Sequence, residues 1–450
     1  MKTVIAGCAL ATMDEAGTEH DSGYIVVENN VIEQVSAGQP KDLVDVTYIE
    51  AEGCLATPGL VNCHHHLYQW LTRGLSQQAD LFTWLRELYP VWAHLDDELE
   101  LASARAGLAA LALTGCSTST DHHYVFPKGA SGLLEAEIAA AREIGLRFHP
   151  CRGSMDLGES SGGLPPDSIT EDRDTILSAT EEAVSKWHDP SRESMLRLAI
   201  APCSPFSVTS ELMSESAELA RRLGVRLHTH LAETVDEERF CFETFGVRPV
   251  DYLDKLGWLS DDVWLAHCVH LSDSEIERMG AAGVGVAHCP SSNARLGAGI
   301  APVQDLLEAG AAVGLGVDGA ASNEPGRLGP ELRQALLLAR LRGGPEAMSA
   351  RLALRLGTIY GARCLGRSDE IGSLEPGKLA DICLWRLSSL DHAGIDDPVA
   401  GLVLGSTPEV EVLMVNGKLV VHEGRLNALD EDALAAELGR ASLKLRQAAR

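Results

Sequence analysis

Apolar and polar positions follow two rhythms along this chain. From Met1 to about Cys54, stretches such as YIVVENNVIEQV alternate apolar and polar residues around Asn29-Asn30, the pattern of an antiparallel hairpin. The same rhythm returns near the end, where ADICLW and VLMVNGKLVVHEG read as strands and Asn416-Gly417 is a strong hairpin-turn signal. The two ends are therefore expected to meet in one small β domain, with the middle of the chain inserted between them. The opening MKTVIAGCALATMDE could mimic a secretory signal, but Thr3, Gly7 and Thr12 interrupt it and Asp14 and Glu15 follow at once, so it reads as a strand.

The middle repeats another unit, an Ala/Leu-rich helical segment that ends at a glycine and is followed by a short apolar run. Gly115, Gly145, Gly224, Gly283 and Gly310 sit where helix C-caps belong, and the runs after them read as buried parallel strands. With LATPGLVNC, LRLAIAPC and DDVWLAHC the strands number eight. The expected fold is α/β: a (β/α)8 TIM-like barrel over residues 58–370, with a composite β-sandwich domain from 1–57 and 371–450, the latter including a terminal helix.

Composition narrows the function. Of 450 residues, 45% are hydrophobic and 23% charged, as in a folded globular protein. The 37 Lys and Arg against 65 Asp and Glu leave a formal charge of −28, which disfavours nucleic-acid polymers and anionic membranes as partners. The 11 cysteines are odd in number and show no small-protein spacing, as expected of reduced thiols. No membrane span or targeting segment is visible, so a cytoplasmic location is expected, and a homo-oligomer is compatible with the sequence.

A barrel of this kind does its chemistry at the C-terminal ends of its strands. The predicted strands end at His64 to His66, Asp121 to His123, His149 to Arg152, His228 and His230, His267, His288 and Asp318, so most of the 16 histidines gather on one rim. In an extended segment alternate residues face the same way, so His64 and His66 point together and His65 points elsewhere. Two imidazoles, a third from His230 and a carboxylate from Asp318 form a donor set for a divalent metal such as zinc.

PGLVNCHHH, HTHLAET, AHCVHL, GLGVDGAASN and IGSLEPGKLADICLW together resemble the amidohydrolase superfamily, in its branch of cytosine-, guanine- and triazine-type deaminases and chlorohydrolases. The resemblance spans nearly the whole chain. It implies metal ligation by His64, His66, His230 and Asp318. Binuclear members carry a bridging Lys at the end of the fourth strand; LRLAIAPCSPF has none, which implies one metal, zinc, with Fe²⁺ the alternative. Asp318 and His267 would take the proton of the metal-bound water, the hydroxide would attack an amidine-like ring carbon, and Glu233 would serve as the acid at the adjacent ring nitrogen. Glu233 could instead only orient His230, and His267 could merely pack. His65 and His288 are read as structural, and His123, facing opposite to His122, as a substrate contact.

The HHHLYQ and LFTWLRELYPVW stretches look like the subgroup that deaminates 8-oxoguanine, which implies its hydrolysis to urate and ammonia. Trp70, Trp84 and Trp92, at helical spacings, read by themselves as core residues. Gln69 falls where related members bind the purine edge, and Phe206 where they stack an aromatic. Guanine deaminases carry Arg-Phe at that second place and this chain has Pro205-Phe206, which argues against guanine itself. Arg152 and His123 are candidates to meet the 8-oxo group. The alternatives are a deaminase of isocytosine, an amino- or chlorohydrolase of a triazine, or a non-catalytic scaffold. The Gly/Ser/Pro-rich segment from about Asp156 to Pro166 reads as either a lid or a plain connection.

Overall fold

The computed structural model describes residues 2–41 and 45–450. Eight parallel strands close into a barrel. They are β1 (Leu60–Asn62), β2 (Cys116–His123), β3 (Arg147–Ser154), β4 (Ala199–Pro202), β5 (Arg226–Leu231), β6 (Val263–His267), β7 (Gly285–His288) and β8 (Ala312–Leu315), in that order around the ring. The five predicted cap glycines all lie in the left-handed region, with φ of 82°, 92°, 69°, 70° and 99° for Gly115, Gly145, Gly224, Gly283 and Gly310. There a side chain would be strained and glycine is not.

The period of two in each strand sorts the residues. Small side chains (Cys63, Cys151, Ala199, Ala201, Ala287) and the large Trp264 share one buried cluster with Leu365, Ile371 and Leu379, while Leu227, Val263, Leu265, Val286 and Val313 turn outward into the main core under the helices.

Both chain ends build one nine-stranded sheet, joined where Cys54–Pro58 pairs antiparallel with Ile382–Arg386. Alternation works here too. Ile382, Leu384, Val412 and Met414 share the sheet's own core with Ile5, Ile25 and Val27, whereas Cys383, Trp385, Leu413 and Val415 belong to the core shared with the barrel. The two predicted turns touch, with Asn30 Nδ2 donating to Asn416 Oδ1 at 3.2 Å. Asn416 and Gly417 both have positive φ (50° and 75°), and a β-carbon on Gly417 would lie 2.1 Å from the Asn29 carbonyl oxygen, so the turn requires glycine. The terminal helix Glu431–Ala448 returns to the barrel, where Ser442 Oγ donates to the Leu71 carbonyl at 2.9 Å. No helix among the described residues is long and apolar enough to cross a membrane.

Candidate active site

The barrel geometry brings together residues more than 250 positions apart. Just beyond β1 and β8, His65–His66 pairs in parallel with Asp318–Gly319, and the Asp318 amide donates to the His64 carbonyl at 3.1 Å. That short ladder sets the Asp318 carboxylate beside both imidazoles: Oδ1 lies 3.3 Å from His64 Nε2 and 3.3 Å from His66 Nε2. The Gln69 side chain packs so closely on Gly319 that a β-carbon there would meet Gln69 Oε1 at 1.7 Å. From β5, His230 brings its Nε2 to 3.1 Å from His66 Nε2. Ala232, His267, Cys268 and Asp318 all have positive φ, a costly conformation for non-glycine residues, concentrated at these strand exits.

Hydrogen bonding decides which face each imidazole shows. His66 Nδ1 is 2.8 Å from the His122 carbonyl and His230 Nδ1 is 2.7 Å from the Cys203 carbonyl; a carbonyl only accepts, so each Nδ1 carries the hydrogen. His64 Nδ1 lies 2.8 Å from His228 Nε2, whose own ring gives Nδ1–H to the Trp264 carbonyl at 2.8 Å, so His64 also donates through Nδ1. Three Nε2 lone pairs therefore converge with a carboxylate oxygen. Burial holds His64 and His230 well below the usual imidazole range, and so neutral. Bare lone pairs 3.1 Å apart repel unless a cation lies between them, so the residues fit a bound metal.

Around this point stand the other groups. Asp318 Oδ2 accepts from the hydroxyls of Ser292 and Ser322. His267 gives Nδ1–H to Asn293 Oδ1 at 2.9 Å, which leaves its Nε2 at 3.6 Å from Glu233 Oε2 and 4.0 Å from Asp318 Oδ2. Burial, then the negative charge of Asp318, push Glu233 well above the usual carboxyl range, and its Oε1 has no partner. Glu237 fastens the turn that carries Glu233, accepting from the amides of Ala232 and Glu233 at 2.8 and 2.9 Å.

These groups border one cavity. Gln69, Phe206, Glu233, His267 and Asp318 line it, as do Trp84 and Tyr89 from the helix Leu81–Trp92 and Tyr124, Leu296 and Ser322. Trp84 thus faces the cavity, whereas Trp92 lies in the core and donates Nε1–H to Thr72 Oγ1 at 3.1 Å. The 156–166 segment does not border the cavity; Asp156 ties it down by accepting from the Thr209 amide at 2.7 Å.

Two expected substrate contacts are not brought to the cavity. His123 turns outward, with Nδ1 2.8 Å from Glu137 Oε1 and Nε2 2.9 Å from the Val125 carbonyl. Arg152 pairs with Glu171 at 2.8 Å and lies over Phe126 at 3.8 Å. The cause is shared: β2 and β3 register His123 opposite Arg152, so both leave the barrel on the same side, while His122 turns inward and stacks on His230 at 4.8 Å. His65 and His288 are buried and do not border the cavity. Sequence reasoning did not single out Ser292, Asn293, Glu237 or Trp264. The PSSN run that follows His288-Cys289 was the available signal for the first two.

Comparison with known proteins agrees with this geometry. Residues 55–420 match the amidohydrolase family. The chain is 46% identical over 430 residues to the 8-oxoguanine deaminase of Pseudomonas aeruginosa, covering 95% of each chain. It is 36% identical over 444 residues to hydroxydechloroatrazine ethylaminohydrolase of Pseudomonas sp. strain ADP, covering 95% of this chain and 92% of that one. The structure of atrazine chlorohydrolase from Arthrobacter aurescens TC1, complexed with zinc, is similar at a TM-score of 0.93 and 34% identity, over 98% of this chain and 100% of that one. A match of this extent, on a barrel whose rim gathers the metal donors, means that the chain belongs to the amidohydrolase family and is a hydrolase of carbon–nitrogen bonds outside peptides.

Proposed function

We propose that the protein is a zinc-dependent aminohydrolase that converts 8-oxoguanine and water to urate and ammonia. The observation that carries this reading is the convergence of His64, His66, His230 and Asp318 beside a cavity lined by Glu233, Gln69 and Phe206, in a chain 46% identical to an 8-oxoguanine deaminase. Three imidazoles and one carboxylate suit a single zinc ion, with Fe²⁺ the alternative, and β4 ends at Ala201-Pro202 with no lysine for a second. Such an ion supplies a water of lowered pKa as the nucleophile at neutral pH.

The chain's own groups do the rest. His267 presents its free Nε2 as the base for the water, helped by Asp318. Glu233, kept protonated by burial, gives its proton to the ring nitrogen beside the attacked carbon; the carboxylate is then reprotonated with the proton released by the water, which it passes to the departing amine. Gln69 Oε1 and Trp84 Nε1 are buried without a protein partner and belong to residues that line the cavity, which suits a polar heterocycle. Phe206, 4.9 Å from Phe82, offers it an aromatic face. Leu81, Leu85 and Leu296 help to exclude water.

The test is ammonia release from a panel of free purines, pyrimidines and triazines by zinc-loaded protein. We expect the highest kcat/KM with 8-oxoguanine. Isocytosine or a triazine winning by orders of magnitude would replace the substrate and leave the reaction class, whereas no turnover of any base would favour a scaffold.

A further inference from the structure

The three imidazoles of the candidate metal centre are not held alike. His66 and His230 each give Nδ1–H to a main-chain carbonyl, whose oxygen can only accept, so the protein backbone itself dictates which nitrogen is bare. His64 has no such anchor. Its Nδ1 faces another imidazole, His228 Nε2, at 2.8 Å, and an imidazole nitrogen can either carry a hydrogen or lack one.

The decision is made one step further back, at Trp264. Its carbonyl, 2.8 Å from His228 Nδ1, requires a hydrogen there, which leaves His228 Nε2 bare and obliges His64 to donate from Nδ1. The same tryptophan holds His228 in place. Its ring stacks on the imidazole at a centroid distance of 4.5 Å and an angle of 17°, and its indole Nε1–H donates to the Cys63 carbonyl at 3.0 Å, one residue before His64. The path runs from Cys63 through Trp264 and His228 back to His64, so strands β1, β5 and β6 are tied in one closed loop beneath the centre. All four residues are buried.

We propose that His228, braced by Trp264, is a positioning residue for metal capture, acting by holding His64 in the tautomer whose bare Nε2 faces Asp318. This rests on the divalent-ion reading given above and not on 8-oxoguanine as the substrate. His228 does not itself line the cavity, and its hydrogen bond toward the centre is made to His64. Partners that orient a ligating histidine through its second nitrogen are worth about 10- to 100-fold in metal affinity.

The experiment compares wild type, His228→Phe and His228→Gln as metal-free proteins. Zinc affinity is measured by competition with a chromophoric chelator, thermal midpoints are recorded without metal, and ¹⁵N-histidine NMR reads the tautomer of His64. His228→Phe keeps the flat ring but cannot accept a hydrogen bond, and is expected to bind zinc about 10- to 100-fold more weakly. A glutamine amide can donate to the Trp264 carbonyl and accept from His64, so His228→Gln is expected to recover a large part of that loss. In wild type the His64 signals are expected to be those of the Nδ1–H form, and in His228→Phe those of a mixture. Zinc binding by His228→Phe as tight as wild type, or an Nε2–H form of His64 in wild type, overturns the proposal. Should the phenylalanine variant not fold, an affinity for His228→Gln as weak as that of a ligand deletion, or the wrong wild-type tautomer, still overturns it. Failure of wild type to bind zinc at all is a separate result, which removes the ion reading and this proposal with it.

Discussion

Two clusters of buried titratable side chains lie on opposite faces of β2, built from similar residues and doing different things. On the inner face, His64, His66, His230 and Asp318 present nitrogen lone pairs and a carboxylate oxygen to one another, with every Nδ1 hydrogen already committed elsewhere. On the outer face, His123 meets Glu137 and, at 3.9 Å, Glu100, with Asp121 nearby on the same strand, but both nitrogens of His123 already face acceptors. Neither nitrogen of His123 is left without a hydrogen-bond partner. Burial raises Glu100 and Asp121 well above the usual carboxyl range and Glu137 to about 8, so this cluster answers its crowding by holding protons. Hydrogen-bond commitment, more than residue type, separates a metal centre from a structural network.

This contrast can be broken experimentally. The largest effect is expected for His230→Ala, which should abolish zinc binding and lower ammonia release by more than about 10⁴-fold. Metal analysis and a coupled ammonia assay check it, and a zinc-replete, active variant would end the ligand assignment. Glu233→Gln should keep its zinc yet lower kcat by about 10²- to 10⁴-fold, the usual worth of a positioned acid. Equal losses of zinc and activity would instead make Glu233 a support for His230.

On the outer face the readout changes from activity to stability. His123→Phe removes a hydrogen-bond partner of buried Glu137 and should cost about 1–3 kcal/mol in denaturant unfolding while zinc stoichiometry stays at wild type. Loss of zinc without loss of stability would join the two clusters. The sign of the pH dependence follows from Glu137. The folded carboxyl keeps its proton to about pH 8, whereas the unfolded one releases it near 4.5. Between those values the native state holds more protons, so this group's contribution makes stability fall as pH rises through that window and level off above about 8. With 1.36 kcal/mol per pH unit the fall has a ceiling of about 5 kcal/mol, and Glu137→Gln should flatten it. An unchanged slope in the variant would assign the effect to other groups. The smallest change is expected for Trp84→Phe, which removes one unpartnered donor at the cavity and should weaken substrate use by about 1 kcal/mol, or roughly fivefold in kcat/KM.

Much of this was legible in the sequence because it depends on local rules. A glycine after a helical segment marks a C-cap wherever the helix packs, and Asn416-Gly417 encodes its turn in two residues. The HxH spacing puts His64 and His66 on one side of any extended segment, and the recurrence of histidine at strand exits locates the rim. The same period of two states that His122 and His123 diverge, but not which of them faces the axis. That choice is made by the stagger of neighbouring strands around a closed ring, and the register of His123 against Arg152 carried both outward together. Nor does any local pattern show that Trp264 braces His228 behind His64, or that Ser292 and Asn293 reach Asp318 and His267. The chain alone therefore determined the elements, their order and the kinds of donor at their ends. Tertiary structure decided which donors share a face, because closing the ring imposes one register on all eight strands at once.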